Sequence, residues 1–207
     1  MARTPLPPAP YVDAPLVPGF RARFAAWVLR RAGWRVVLAQ PVPTRCVVVF
    51  YPHTSNWDFP CGLMAKWLVG VHFRFIAKNS LFAKPLLGAC LRRWGGMPVD
   101  RSGGTGVIAS LALQFAAQDD FKLVVAPEGT RGRTAYWKSG FYHLARAANV
   151  PVALSFIDYR RRETGVGGYV NLTGDVAADM DRISAFYADK TARWPENAGP
   201  IQFDAGG

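Results

Sequence analysis

Short apolar runs alternate along this chain with longer stretches in which apolar residues recur at helical spacing. The run Cys46-Val47-Val48-Val49-Phe50 carries no charge and reads as a buried strand, because β-branched side chains suit a pleated surface. By the same pattern Arg35–Ala39, Phe73–Ala77, Met97–Val99, Phe121–Ala126 and Val152–Ile157 are expected as strands. Helices are predicted from near Phe20, over Cys61–Val71, Leu81–Trp94, Thr105–Gln118, Trp137–Ala148 and Ala177–Lys190. Arg160-Arg161-Arg162 and the glycine-rich stretch Gly165–Gly168 predict a hairpin bend leading into Tyr169–Leu172. Strands alternating with helices imply an α/β fold, a mainly parallel central sheet covered by helices on both faces.

Polar residues gather where these strands end. Pro52 stops the first strand because it has no N–H to donate, so His53 falls just beyond the strand's C-terminal end. Open α/β sheets place ligand crevices there. Asp58 follows five positions later, and a helix starting near Asn56 would fold its carboxylate back onto the imidazole. A carboxylate on one ring nitrogen fixes the tautomer and leaves the other nitrogen free as a base. A satisfied surface pair or a helix cap is the plainer reading of the same two residues. Lys78 ends a second strand, Asp100-Arg101 a third, and Glu128-Gly129-Thr130-Arg131 a fourth. In a parallel sheet these ends share one edge, which assembles a base, carboxylates and cations in one crevice. Glu128 and Arg131 are expected either to pair with each other, or Arg131 to meet an anionic substrate while Glu128 orients it, with Gly129 allowing the backbone to bend.

Composition narrows the partners. The chain has 207 residues, half of them hydrophobic, which implies one globular domain with a real core. The net charge is +11, so an anionic partner is plausible: nucleic acid, an anionic membrane surface or a phosphorylated substrate. Phe20, Phe24, Trp27 and Val28 share a face of an arginine-rich first helix, which suits either a membrane interface or packing onto the sheet. Three cysteines without C-x-x-C spacing argue against a disulfide framework or a zinc site and fit a reducing, cytoplasmic setting. No apolar stretch is long enough to span a bilayer, and the N-terminus lacks a signal-peptide layout. The expected organisation is a proline-rich arm over 1–18, one domain over 19–194 and a loose tail over 195–207.

Other chemistries compete. Gly104-Thr105-Gly106-Val107-Ile108-Ala109 fits G-x-G-x-x-A, the outline of a dinucleotide fingerprint, but Asp100 to Gly103 separate it from the preceding strand. A serine hydrolase would need a G-x-S-x-G elbow, which is missing, and Ser55 lies too close to His53 along the loop. A metal at His53 and Asp58 is possible in principle, yet His72 and His143 sit in apolar or helical contexts. A non-catalytic lipid- or nucleic-acid-binding module using the basic surface remains the alternative from another class.

Taken together, the motifs resemble those of the glycerolipid acyltransferases, the 1-acylglycerol-3-phosphate or lysophospholipid acyltransferase family. His53-Thr54-Ser55-Asn56-Trp57-Asp58 has the H-x4-D pattern, and Gly96-Met97-Pro98-Val99-Asp100-Arg101 resembles the second block. Pro127-Glu128-Gly129-Thr130-Arg131 matches the third block, and Val150-Pro151-Val152-Ala153-Leu154 resembles the fourth. Pro98 stands where the second block often has a bulky apolar residue, and Ser155 lies near the place where the fourth block usually carries a further proline. The resemblance implies acyl transfer from acyl-CoA or acyl carrier protein to a lysophospholipid hydroxyl, without a cofactor or an acyl-enzyme. It implies His53 as general base, oriented by Asp58. Arg101 and Arg131, with Lys78 as a weaker candidate, would hold the acceptor phosphate in a pocket that Glu128, Gly129 and Thr130 help to form. Trp57 and Phe59 would line the acyl channel. The expected setting is the inner face of an anionic membrane, peripherally bound, with no nucleic-acid partner.

Overall fold

The computed structural model describes residues 9–99 and 104–204. In chain order they form α1 (Phe20–Arg31), β1 (Arg35–Leu38), β2 (Arg45–Tyr51), α2 (Asp58–Val69), β3 (Phe73–Lys78), α3 (Asn79–Phe82) and α4 (Pro85–Arg93). There follow β4 (Gly96–Val99), α5 (Gly104–Ala117), β5 (Phe121–Val125), α6 (Gly140–Ala147), β6 (Val152–Asp158), β7 (Glu163–Val170) and α7 (Val176–Tyr187). The strands make one sheet in the order β1-β7-β6-β2-β5-β3-β4. Strands β2 to β6 run parallel, β7 is antiparallel to β6, and β1 is parallel to β7. The fold is thus the mainly parallel α/β sheet that the alternating pattern predicts. The C-terminal ends of the five parallel strands share one edge.

Strand β2 is central and buried on both faces, as its uninterrupted valines require. Val47 and Val49 point into a core closed by Leu111 and Phe115 of α5, Phe141 and Leu144 of α6, and Ile183 and Tyr187 of α7. Cys46 and Val48 point the other way, onto Ala25 and Leu29 of α1 and Ala65 and Leu68 of α2. Period-two alternation within one apolar run therefore fastens helices to both faces. Each valine so buried contributes roughly 1.5–3 kcal/mol relative to exposure.

Three local expectations are corrected. The stretch Leu81–Trp94 is two helices, because Pro85 cannot continue the first and instead opens α4 at its first turn. Helix α6 starts at Gly140, three residues after Trp137, which is held in a bridge to Phe203. The glycines at 165–168 lie inside β7, and the bend is at Tyr159–Arg162 instead. There Asp158 Oδ1 accepts the backbone N–H groups of Arg160 (3.0 Å) and Arg161 (3.1 Å), and Arg162 takes a φ of 52°. Gly165 is required by close approach: with φ of 135°, a Cβ there would stand 2.0 Å from the Val37 carbonyl of β1.

The described parts of both terminal segments, 9–18 and 195–204, are fastened. Val12 N–H donates to the Val36 carbonyl (2.7 Å) and Leu38 N–H to the Pro10 carbonyl (3.1 Å), so the arm covers the edge of β1. The segment 195–204, expected to be loose, docks on the body of the domain. Tyr51 Oη donates to the Gly199 carbonyl (3.0 Å), Trp137 N–H donates to the Gln202 carbonyl (2.8 Å), and Phe203 meets the rings of Phe141 and Tyr142. Helix α1 buries Ala22, Ala25, Ala26 and Leu29 and turns Phe20, Phe24 and Trp27 to solvent. Among the described residues no helix is long and apolar enough to cross a membrane.

Candidate active site

The strand β2 ends at Tyr51, and the loop that follows is short enough for Asp58, the first residue of α2, to turn back under His53. His53 Nδ1 lies 3.0 Å from Asp58 Oδ2. The same oxygen accepts the Ser55 backbone N–H at 2.9 Å, while Oδ1 accepts Tyr159 Oη at 2.7 Å. Asp58 is fully buried, yet both carboxylate oxygens are partnered, which meets the condition for keeping a carboxylate out of water. With Asp58 as acceptor, Nδ1 carries the ring proton and Nε2 presents its lone pair. The imidazole is partly exposed, with the Phe50 ring edge-on to it at 5.9 Å. The pair can therefore take a proton from a substrate hydroxyl.

Strand β5 lies beside β2 and delivers Pro127-Glu128-Gly129-Thr130-Arg131 to the same edge. Glu128 is buried beneath the histidine loop, where Oε2 accepts the His53 backbone N–H at 2.8 Å. It forms no ion pair with Arg131, since its side chain points inward. Its second oxygen, Oε1, is buried without a hydrogen-bond partner. Burial pushes the Glu128 carboxyl up to about 7, and the nearby N–H groups of His53 and Gly199 only partly oppose this. Glu128 thus fixes the backbone that carries the base. Gly129 makes the turn, with φ of 70°, and a Cβ there would press on the Lys138 side chain. Thr130 is exposed, and its hydroxyl accepts the Gly132 N–H at 3.3 Å.

Next to the histidine loop is a cavity of about 290 Å³, lined by Thr54, Ser55, Asn56, Trp57, Arg131, Arg193 and Trp194. Arg131 is thus brought together with the loop that follows His53. Arg193 comes from the segment after α7, which is tied down where the Trp194 N–H donates to Thr54 Oγ1 at 3.2 Å. Its guanidinium lies 5.7–5.8 Å from the ring centres of Trp57, Tyr159 and Trp194.

The other expected residues are placed as follows. Trp57 forms a wall of this cavity, beside Arg193. Phe59 turns away and packs against Phe75 and Trp94. Lys78 is exposed at the end of β3, two strands from β2, and does not line the cavity. Arg101 lies outside the described residues. His72 and His143 are exposed, and among the described residues no group of three potential metal ligands assembles. Gly104 and Gly106 belong to α5, so they are helical residues and not a phosphate-cradling turn.

Two residues of the site carried no motif. Tyr159 follows β6, the neighbour of β2 on the other side, so the strand-end rule that selected His53 also selects Tyr159. Arg193 had no signal, because only the return of α7 over the sheet brings it to the cavity.

Known proteins resemble this chain in sequence and in fold. Residues 33–154 match the family model described as Acyltransferase. The 1-acyl-sn-glycerol-3-phosphate acyltransferases of Limnanthes alba and Limnanthes douglasii are each 32% identical over 105 residues, 48% of this chain and 36% of theirs. The chain thus matches about a third of the length of these relatives. The crystal structure of PlsC, the 1-acyl-sn-glycerophosphate (LPA) acyltransferase of Thermotoga maritima, aligns over 81% of this chain and 76% of that one. The TM-score is 0.55 at 18% identity, a likeness of fold. His53, Asp58, Glu128 and Arg131 fall within the family match, whereas Tyr159 and Arg193 lie beyond it.

Proposed function

The chain belongs to the acyltransferase family, and on that premise we propose that it acylates the hydroxyl of a lysophospholipid, with 1-acylglycerol-3-phosphate as the leading acceptor. The donor is an acyl thioester, acyl-CoA or acyl carrier protein. The observation that carries this reading is the His53–Asp58 pair beside a cavity that holds Arg131. His53 Nε2 takes the proton of the acceptor hydroxyl as its oxygen attacks the thioester carbonyl. Asp58 stabilises the imidazolium that forms. The carbon–sulfur bond then breaks, and the thiolate leaves with the proton held by His53. Arg131 binds the acceptor phosphate so that the hydroxyl is presented to the base.

Neighbouring protein groups are poor nucleophiles, which favours direct attack over an acyl-enzyme. The Cys61 thiol is pushed up to about 11, first by burial and then by the charge of Asp58. Ser55 Oγ is engaged as acceptor of the Trp57 N–H at 3.2 Å.

A peripheral seat on an anionic membrane completes the proposal. Phe20 is 81% and Trp27 58% exposed on the outer face of α1, with Arg23, Arg30 and Arg31 also exposed on that helix. Rings in the interface and guanidiniums at the headgroups would orient the crevice toward its lipid substrate.

The test is a panel of lysolipids offered with isotope-labelled acyl thioesters, read by mass, in the presence of anionic or zwitterionic vesicles. Labelled diacyl product from lysophosphatidate is expected, with faster turnover on anionic vesicles. Absence of acyl transfer to every lysolipid contradicts the reading.

A further inference from the structure

We propose that Arg193 and Arg131 form a two-arginine seat for a phosphate monoester, the acceptor's headgroup, and that Arg193 sets the preference for monoester over diester lysolipids. This rests on the acyltransferase reading and assigns a role to a residue outside the family match.

The cavity has the chemistry of an anion site. Two guanidiniums line it and no carboxylate does. Neither arginine forms a salt bridge among the described residues, although Arg161, Arg182 and Arg35 all do. The lining of the cavity is therefore positively charged. Arg193 sits among the rings of Trp57, Tyr159 and Trp194, its guanidinium carbon within cation–π range of all three. A guanidinium carries five N–H donors, so the contact of Arg193 with Tyr159 leaves donors that can face an anion in the cavity. Thr54 Oγ1 accepts from Trp194, so its own proton is available to donate.

Position fixes which phosphate fits. The cavity walls include Thr54, Ser55 and Asn56, the residues that follow His53 directly. In a glycerol phosphate the reacting hydroxyl is only a few bonds from the phosphorus, so its phosphate must sit beside the base. A phosphate monoester carries close to two negative charges near neutral pH and offers three terminal oxygens. A phosphodiester offers one charge and two such oxygens. Two arginines converging on one cavity match the monoester and lose part of their bonding with the diester. The thioester donor can also bear a phosphate monoester, so the experiment separates the two sources.

Steady-state kinetics of Arg193→Ala, Arg193→Gln and Arg193→Lys are compared on lysophosphatidate and lysophosphatidylcholine. Arg193→Ala and Arg193→Gln are expected to raise the lysophosphatidate KM about 10–100-fold, with donor KM unchanged and the monoester preference largely lost. Arg193→Lys is expected to recover part of the loss. A change in donor KM with acceptor KM unchanged, or an equal loss on both lysolipids, overturns the proposal. Binding of sn-glycerol 3-phosphate, followed by ³¹P NMR, judges the seat without turnover. Binding that is weakened in Arg193→Ala supports the seat, and unchanged binding overturns it, with circular dichroism confirming the fold of each variant. A wild-type protein that binds sn-glycerol 3-phosphate through Arg193 but acylates no lysolipid would remove the acyltransferase reading and leave the seat standing.

Discussion

The half of the site built on β2 and β5 differs from the half contributed after β6. The first supplies His53, Asp58, Glu128 and Arg131 from loops that follow two adjacent strands. Its central contact spans five positions in sequence. The second supplies Tyr159, Arg193 and the docked segment around Gly199. Its contacts span 101 positions for Tyr159 to Asp58, 140 for Trp194 to Thr54 and 148 for Tyr51 to Gly199. In the proposed mechanism the local half holds the base and its carboxylate, and the remote half adds Tyr159, which positions Asp58, and Arg193, which meets the acceptor. Such a division explains how one segment can match a family while the parts that aim it lie elsewhere in the chain.

Substitutions can break that comparison, the local half first. Asp58→Asn is expected to lower kcat about 10³-fold or more, since an amide neither fixes the tautomer nor stabilises imidazolium. A kcat within tenfold of wild type, measured by labelled product formation, would remove Asp58 from the mechanism. In the remote half, Tyr159→Phe leaves Asp58 Oδ1 buried without a donor. Loss of a hydrogen bond to a charged group costs about 1.5–3 kcal/mol. We expect kcat to fall roughly 10-fold with little change in acceptor KM, the split that marks a positioning residue. Equal kcat in the variant would make Tyr159 part of the scaffold only. Burial and the Asp58 hydrogen bond hold the Tyr159 phenol well above its ordinary range, so it stays protonated as a donor at neutral pH.

Glu128 gives an effect on stability that depends on pH. Its carboxyl is raised from 4.5 to about 7 in the folded protein. The native state therefore keeps a proton that the unfolded chain releases, and stability falls as pH rises through that window. The contribution is fully present below about pH 4.5 and gone above about 7, a span worth roughly 3 kcal/mol. Glu128→Gln should abolish this dependence, because an amide oxygen still accepts from His53 N–H and nothing titrates. Urea midpoints of the two proteins are expected to converge near pH 4 and to favour the variant at pH 8. Parallel curves across that range would refute the buried, proton-holding role.

Much of the fold was legible because burial imposes its period on the sequence. The valines of β2, packed on both faces, left an uncharged run that no helix or loop would carry. The edge bearing the site was legible too, because His53 and Arg131 stand just past such runs. Turn chemistry was less so: Gly165 resembles a bend residue but serves the close approach of β1. Glu128 was found but its direction was not, since a motif does not say which way a side chain points. Phe59 illustrates the same limit, an aromatic beside the catalytic loop that turns toward Phe75 and Trp94. Arg193 and the docking of residues 195–204 depend on long-range closure, which leaves no local pattern.

The most direct measurement is single-turnover transfer of a labelled acyl group from a thioester to lysophosphatidate by wild type and His53→Ala. The account predicts labelled phosphatidate from the wild type, a rate at least about 10³-fold lower in the variant, and thermal unfolding of both within a few degrees. A His53→Ala protein that transfers the acyl group at the wild-type rate would contradict it.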